Sequence, residues 1–95
     1  MLTHVVLFKF KDRSPGSVAQ ARARLDTLAG NIPTLLAIEV GEDVLHSGRS
    51  YDLALIARFD DLAGLDAYQT HPVHAPVLAY MREAAETIVA VDFIT

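Results

Sequence analysis

The stretch YQTHPVH, Tyr68 to His74, carries two histidines three residues apart and a tyrosine three residues before the first. These are residue types that move protons. A histidine titrates near neutral pH and takes a proton from an activated carbon when held beside one. A tyrosine hydroxyl can steady the enolate that forms by hydrogen bonding, or act as the acid. With His74 as base and Tyr68 as stabiliser, the chemistry implied is enolisation, cyclisation or isomerisation of a carbonyl compound, with no cofactor. Two other uses of the same residues compete with it. As architecture, His71 hydrogen-bonds the frayed end of one helix, and His74 sits in the first turn of the next. Tyr68 then packs its ring in the core with its hydroxyl on a backbone carbonyl. As a metal site, two histidines three apart can ligate zinc, but a third and usually a fourth ligand are needed. Cysteine is absent, no acidic residue falls within the motif, and His46 lies in a distant loop. No metal is therefore expected.

The elements that must position these residues follow from periodicity and breakers. HVVLFKF, His4 to Phe10, is β-branched and aromatic and reads as a strand. DRSPG ends it. Ser17 with Gln20 three residues on resembles a capping box, and Val18, Ala21, Leu25 and Leu28 follow at helical spacing. Gly30 and Pro33 end that helix. Leu35 to Val44 reads as a second strand, bulged or bent near Gly41. Tyr51 to Phe59 reads as a third. Asp60 or Asp61 caps a second helix through Leu62, Leu65 and Tyr68. His71-Pro72 interrupts it, because a residue before proline avoids the helical region. A further helix starts between Val73 and Pro76, where first-turn proline is tolerated, and runs to about Ala85. Ile88 to Ile94 closes as a fourth strand. The order β-α-β-β-α-β, with its second helix broken, is that of an α+β, ferredoxin-like domain.

Size and composition bound what such a domain does. Its 95 residues make one domain, 52% hydrophobic and without cysteine, so packing alone must stabilise it. A net charge of −4 argues against nucleic acid or an anionic membrane as partner. No apolar run approaches the ~18 residues of a membrane span, and MLTHVVLFKFK lacks the pattern of a signal peptide. A soluble cytoplasmic protein is expected.

The strands are apolar on both faces. Val6, Phe8 and Phe10 oppose Val5 and Leu7 in the first strand, and Leu53, Leu55, Ala57 and Phe59 oppose Ala54 and Ile56 in the third. The fourth sets Ile88, Ala90 and Ile94 against Val89, Val91 and Phe93. Two helices cover only one face of a four-stranded sheet. The other would be an apolar patch of a size that soluble monomers rarely carry, so a second copy is expected to cover it, sheet against sheet. Arg22, Arg24, Arg82, Glu83 and Glu86 read as solvated helix faces. Asp92, in an otherwise apolar strand, is expected at a solvated edge or paired across the dimer, with Arg58 a candidate partner.

HVVLFKFK, the block YDLALIARFDDLAGLDAYQTHPVH and the apolar last strand together resemble the stress-responsive A/B barrel (Dabb) family over nearly the whole chain. The most specific part is Phe59 ending the third strand, followed by a short helix and Tyr68-x-x-His71-Pro72-x-His74. The resemblance implies a dimeric α+β barrel, in which two antiparallel four-stranded sheets pack face to face with the helices outside. It also implies a pocket on the helix side of each sheet, where His4, Val6, Phe8, Leu53 and Leu55 point and which Tyr68 and His74 close. His4 and His71 are its expected supporting polar groups. The family includes stress proteins of obscure activity and a cofactor-independent cyclase of linear polyketides, whose catalytic tyrosine and histidine match Tyr68 and His74. Where that cyclase has a histidine early in its third strand, this chain has Leu53, which implies a less polar pocket. A small hydrophobic or aromatic ligand is the partner expected; the alternative is a non-catalytic stress-associated dimer with its pocket filled by side chains. Haem is handled by some relatives in the wider superfamily, but a single candidate axial histidine is a weak signal for it.

Overall fold

The computed structural model describes residues 1–95. Its elements are β1 (Leu2–Phe10), α1 (Pro15–Asp26), β2 (Ala37–Glu42), β3 (Leu53–Phe59), α2 (Leu62–Gln69), α3 (His74–Ala84) and β4 (Ala85–Ile94). The four strands form one sheet in the order β2-β3-β1-β4, antiparallel at every pairing. This is the expected ferredoxin-like topology with its second helix split in two.

Local chemistry explains most boundaries and corrects several. Helix α1 is capped three residues before the Ser17–Gln20 box, by Ser14. Its Oγ accepts the Ser17 N–H at 3.3 Å, and Pro15 occupies the first helical position, where a missing N–H costs nothing. Asp61, rather than Asp60, caps α2, its Oδ1 accepting the Gly64 N–H at 2.9 Å. Pro72 then keeps α2 and α3 apart, and His71 Nδ1 accepts the Val73 N–H at 3.1 Å across the break. Strand β2 is shorter than Leu35 to Val44 and pairs with β3 in even register through Gly41, so no bulge is present there. The irregularity lies instead between β1 and β4, where pairing steps from Lys9–Thr87 to Phe10–Ala85. Strand β4 follows α3 without a loop, starting three residues earlier than Ile88.

Helices cover one face of the sheet only. Between them lie Phe8 and Phe10 of β1, Leu55 and Phe59 of β3, Leu25 of α1, Tyr68 of α2 and Met81 of α3, all buried. A buried carboxylate pins the end of β1 to the start of β3. Asp52 accepts the Phe10 N–H at 2.9 Å and Arg13 Nε at 2.9 Å. The opposite face is open. Leu7, Val89, Val91 and Phe93 are 37%, 43%, 57% and 44% exposed there, and register sets Val5 and Ile56 beside them. Strand β4 is the sheet edge beyond the helices, so its helix-side residues Ile88 and Ala90 are exposed as well.

Candidate active site

A cavity of about 420 Å³ lies between the helix side of β1 and β4 and the helices α2 and α3. Its walls are mostly apolar and include Val6, Phe8, Leu25, Leu55, Val77 and Ala90, with His4, Gln69, His74 and Arg82 as the polar exceptions. Apolar walls with a few convergent polar groups are the usual composition of a small-molecule site, and this volume is within their common range. No group of three or more His, Cys, Asp or Glu side chains is placed to hold a metal ion.

Tyr68 sits at the centre. It is buried on the last turn of α2, its ring 5.0 Å from Phe59, 4.5 Å from His74 and 6.3 Å from His4, centre to centre. Its hydroxyl is buried and has no hydrogen-bond partner; neither imidazole nor any carbonyl takes it. The backbone partner expected from an architectural role is therefore absent. Burial pushes the hydroxyl pKa up to about 12, so it stays a neutral donor at ordinary pH. A buried, unpaired donor costs a folded protein roughly 1–3 kcal/mol and is uncommon without a function.

His74 opens α3, close against Tyr68 because only Thr70 to Val73 separate the two helices. Its Nδ1 lies 3.2 Å from the Gln69 carbonyl oxygen. A carbonyl only accepts, so Nδ1 carries the hydrogen and Nε2 keeps its lone pair. Burial holds the pKa of His74 below its ordinary value; the nearby His4 and Arg82 push the same way, and the bond to Gln69 opposes them. His74 is thus a neutral imidazole with a free lone pair at neutral pH.

His4 reaches the cavity from β1, where the structure supplies a partner that the sequence reading missed. Asp92, directly across the ladder on β4, accepts a hydrogen bond from His4 Nδ1. It lies on the edge strand β4 with 37% of its side chain exposed, as the solvated-edge expectation has it, and on the helix side of the sheet. The carboxylate fixes the ring's tautomer and orientation, leaving Nε2 without a protein partner. Val6, Phe8 and Leu55 line the cavity. Leu53 and His71 are outside its lining. Leu53 sits deep in the core nearer the Phe8 end of the sheet, and His71 spends its Nδ1 on the helix break. Arg82 is exposed on its helix face, as expected, and also borders the cavity.

A family model described as the stress responsive A/B barrel domain, Dabb, matches residues 2–95, and the chain belongs to that family. An uncharacterised protein of Streptomyces coelicolor is 31% identical over 93 residues, covering 95% of this chain and 96% of that one. Among solved structures, a dimeric ferredoxin-like protein of unknown function from Thermobifida fusca superposes with a TM-score of 0.87. It is 34% identical, over 99% of this chain and 90% of that one. A hydroxynitrile lyase from Passiflora edulis superposes with a TM-score of 0.85 over 99% of this chain and 92% of its own. At 19% identity that likeness is one of fold alone.

Proposed function

We propose that this protein is a homodimer in which each protomer's cavity binds a small hydrophobic or aromatic carbonyl compound and moves a proton at its α-carbon. It would act as a cofactor-independent isomerase or cyclase. The observation that carries this is the Tyr68 hydroxyl, a buried neutral donor with no protein partner, on a ring that lies near both His74 and His4 in the wall of an apolar cavity. A ligand carbonyl oxygen is the acceptor it lacks.

In the proposed step His74 Nε2 takes the α-proton of the bound compound. The C–H electron pair becomes the enolate double bond, and the carbonyl π pair moves to oxygen, where Tyr68 hydrogen-bonds it. Return of the proton to a different carbon yields an isomer. Attack of the enolate carbon on a second carbonyl of the same molecule closes a ring, and the new alkoxide takes the proton back from His74. His4, oriented by Asp92, is the second proton holder. His71 keeps only its part in the helix break. Dimerisation would use the open sheet face, where Leu7, Val89, Val91 and Phe93 need cover. The Thermobifida fusca relative, described as dimeric, supports a dimer.

The direct assay is α-proton exchange. Aryl methyl ketones and short alkanones would be incubated with the protein in deuterated buffer and their α-proton signals followed by NMR. Exchange above the buffer rate is expected with the wild type and not with His74→Gln or Tyr68→Phe. Exchange at the buffer rate for every ketone, or undiminished exchange by both variants, would sink the catalytic assignment.

A further inference from the structure

Arg82 gives the cavity a sign. The chain carries a net charge of −4, yet the cavity lining contains an arginine and no carboxylate. Arg82 takes part in none of the protein's ion pairs. Glu86, four residues further on but already in strand β4, approaches Lys9 at 3.8 Å. Arg13 and Arg22 are held by carboxylates, and Arg24 lies over the Tyr80 ring at 4.7 Å. Arg82 has no comparable engagement. It follows His74 by about two turns of α3, and helical side chains lean toward the N-terminus, so its guanidinium leans back toward the imidazole. The Arg82 charge is one of the influences that disfavour protonation of His74. The exposed Gln69, at the end of α2, also borders the cavity.

We infer that the ligand of this cavity is an anion: an oxo acid whose apolar body lies against Val6, Phe8 and Leu25 and whose carboxylate is held at the mouth by Arg82. The inference rests on the carbonyl-binding role proposed above and adds its substrate class. A guanidinium presents paired N–H donors that match a carboxylate, and the bond is strengthened by both charges. The same cation would neutralise the charge of the bound acid while Tyr68 meets the carbonyl oxygen at the reacting end. Arg82 is then a specificity-determining residue rather than a catalytic one.

The test uses two probes of the same shape, 3-benzoylpropionate and its primary amide, titrated into the full chain at near-neutral pH and low salt. Calorimetry gives affinities, and α-proton exchange is followed on the same samples. The wild type is expected to bind the acid about tenfold more tightly than the amide. Arg82→Gln should bring that ratio to about one by weakening the acid alone, and Arg82→Lys should restore part of it. A ratio near one in the wild type, or one that Arg82→Gln leaves unchanged, overturns the assignment of Arg82. If the amide still binds and exchanges in that case, the carbonyl-binding role survives. Binding of neither probe overturns both. Arg82 is exposed, so the variants are expected to fold.

Discussion

Removing the Tyr68 hydroxyl should leave the protein as stable as before, or more so. At an ordinary buried tyrosine whose hydroxyl is hydrogen-bonded, replacement by phenylalanine loses about 1 kcal/mol. Here the hydroxyl is buried without a partner, so the folded state already carries a desolvation cost on the order of 1–3 kcal/mol that the variant does not. The ring, packed against Phe59 and His74, is kept by phenylalanine, so no cavity is created. Tyr68→Phe is therefore expected to gain between about 0 and 2 kcal/mol. For a domain of this size each kcal/mol moves Tm by roughly 4–8 °C. The assay is denaturant unfolding at matched protomer concentration, with the slope m checked for constancy, since dimerisation makes apparent stability concentration-dependent. The same variant should lose about a hundredfold in α-proton exchange, the scale of losing one donor to a developing oxyanion. It should also lack the tyrosinate absorbance component that titrates near 12 in the wild type. A loss of more than about 1 kcal/mol at constant m would mean that the hydroxyl is bonded in solution, and the case for a vacant donor would fail.

Three further outcomes follow from other parts of the molecule. Because the folded pKa of His74 lies below the ordinary 6.5, its neutral form contributes stability that is complete above 6.5 and lost as pH falls toward the folded value. The difference in unfolding free energy between wild type and His74→Gln should change below 6.5 and stay flat above it; a flat difference throughout would contradict the shift. Asp52→Ala should cost about 2–3 kcal/mol in denaturant unfolding, because it leaves the Phe10 N–H unpaired and Arg13 without its carboxylate. A cost below about 0.5 kcal/mol would show that this tie is dispensable. Val91→Lys, on the open sheet face, should convert dimers to folded monomers in sedimentation; an unchanged dimer would place the interface elsewhere.

The fold was legible in the sequence where its signals are local. Two-faced apolar strands, the break at His71-Pro72 and the placement of Tyr68 and His74 on either side of it are written in neighbouring residues. The start of α1 was also local, but Ser14-Pro15 reads equally as the end of a turn. Only the bond from Ser14 Oγ to the Ser17 N–H distinguishes a cap from a breaker. The role of Asp92 was not local at all. Its partner is 88 residues away, and which side chain it faces depends on the β1–β4 register. Arg82 was hidden for a related reason. Helical periodicity reads it as a solvated face, but β4, being a sheet edge, leaves space beside it that no pattern within α3 reveals. Leu53 and His71 were assigned to the pocket by resemblance, and their exclusion is a matter of depth and of a local backbone bond.

The pairing step between Lys9 and Phe10 has a consequence for how this chain tolerates change in length. Glu86 is the additional residue on β4, and it inverts the strand's parity between Ala85, which faces the core, and everything after it. Downstream of it the even-numbered residues share His4's side, so Asp92 meets the imidazole while Val91 and Phe93 face outward. Deleting Glu86 would close the step, with Ala85 still on Phe10, Thr87 still on Lys9 and every later residue facing as before. Deleting one residue between Thr87 and Ala90 would instead turn the rest of the strand over. Asp92 would swing onto the open face, and Val91 and Phe93 would swing onto the side of the cavity. The histidine's carboxylate and the apolar face proposed for the dimer would be lost together. A single-residue deletion at 87–90 should therefore be far less tolerated than loss of Glu86 itself or a deletion in the exposed loop before β3, although all lie many residues from Tyr68.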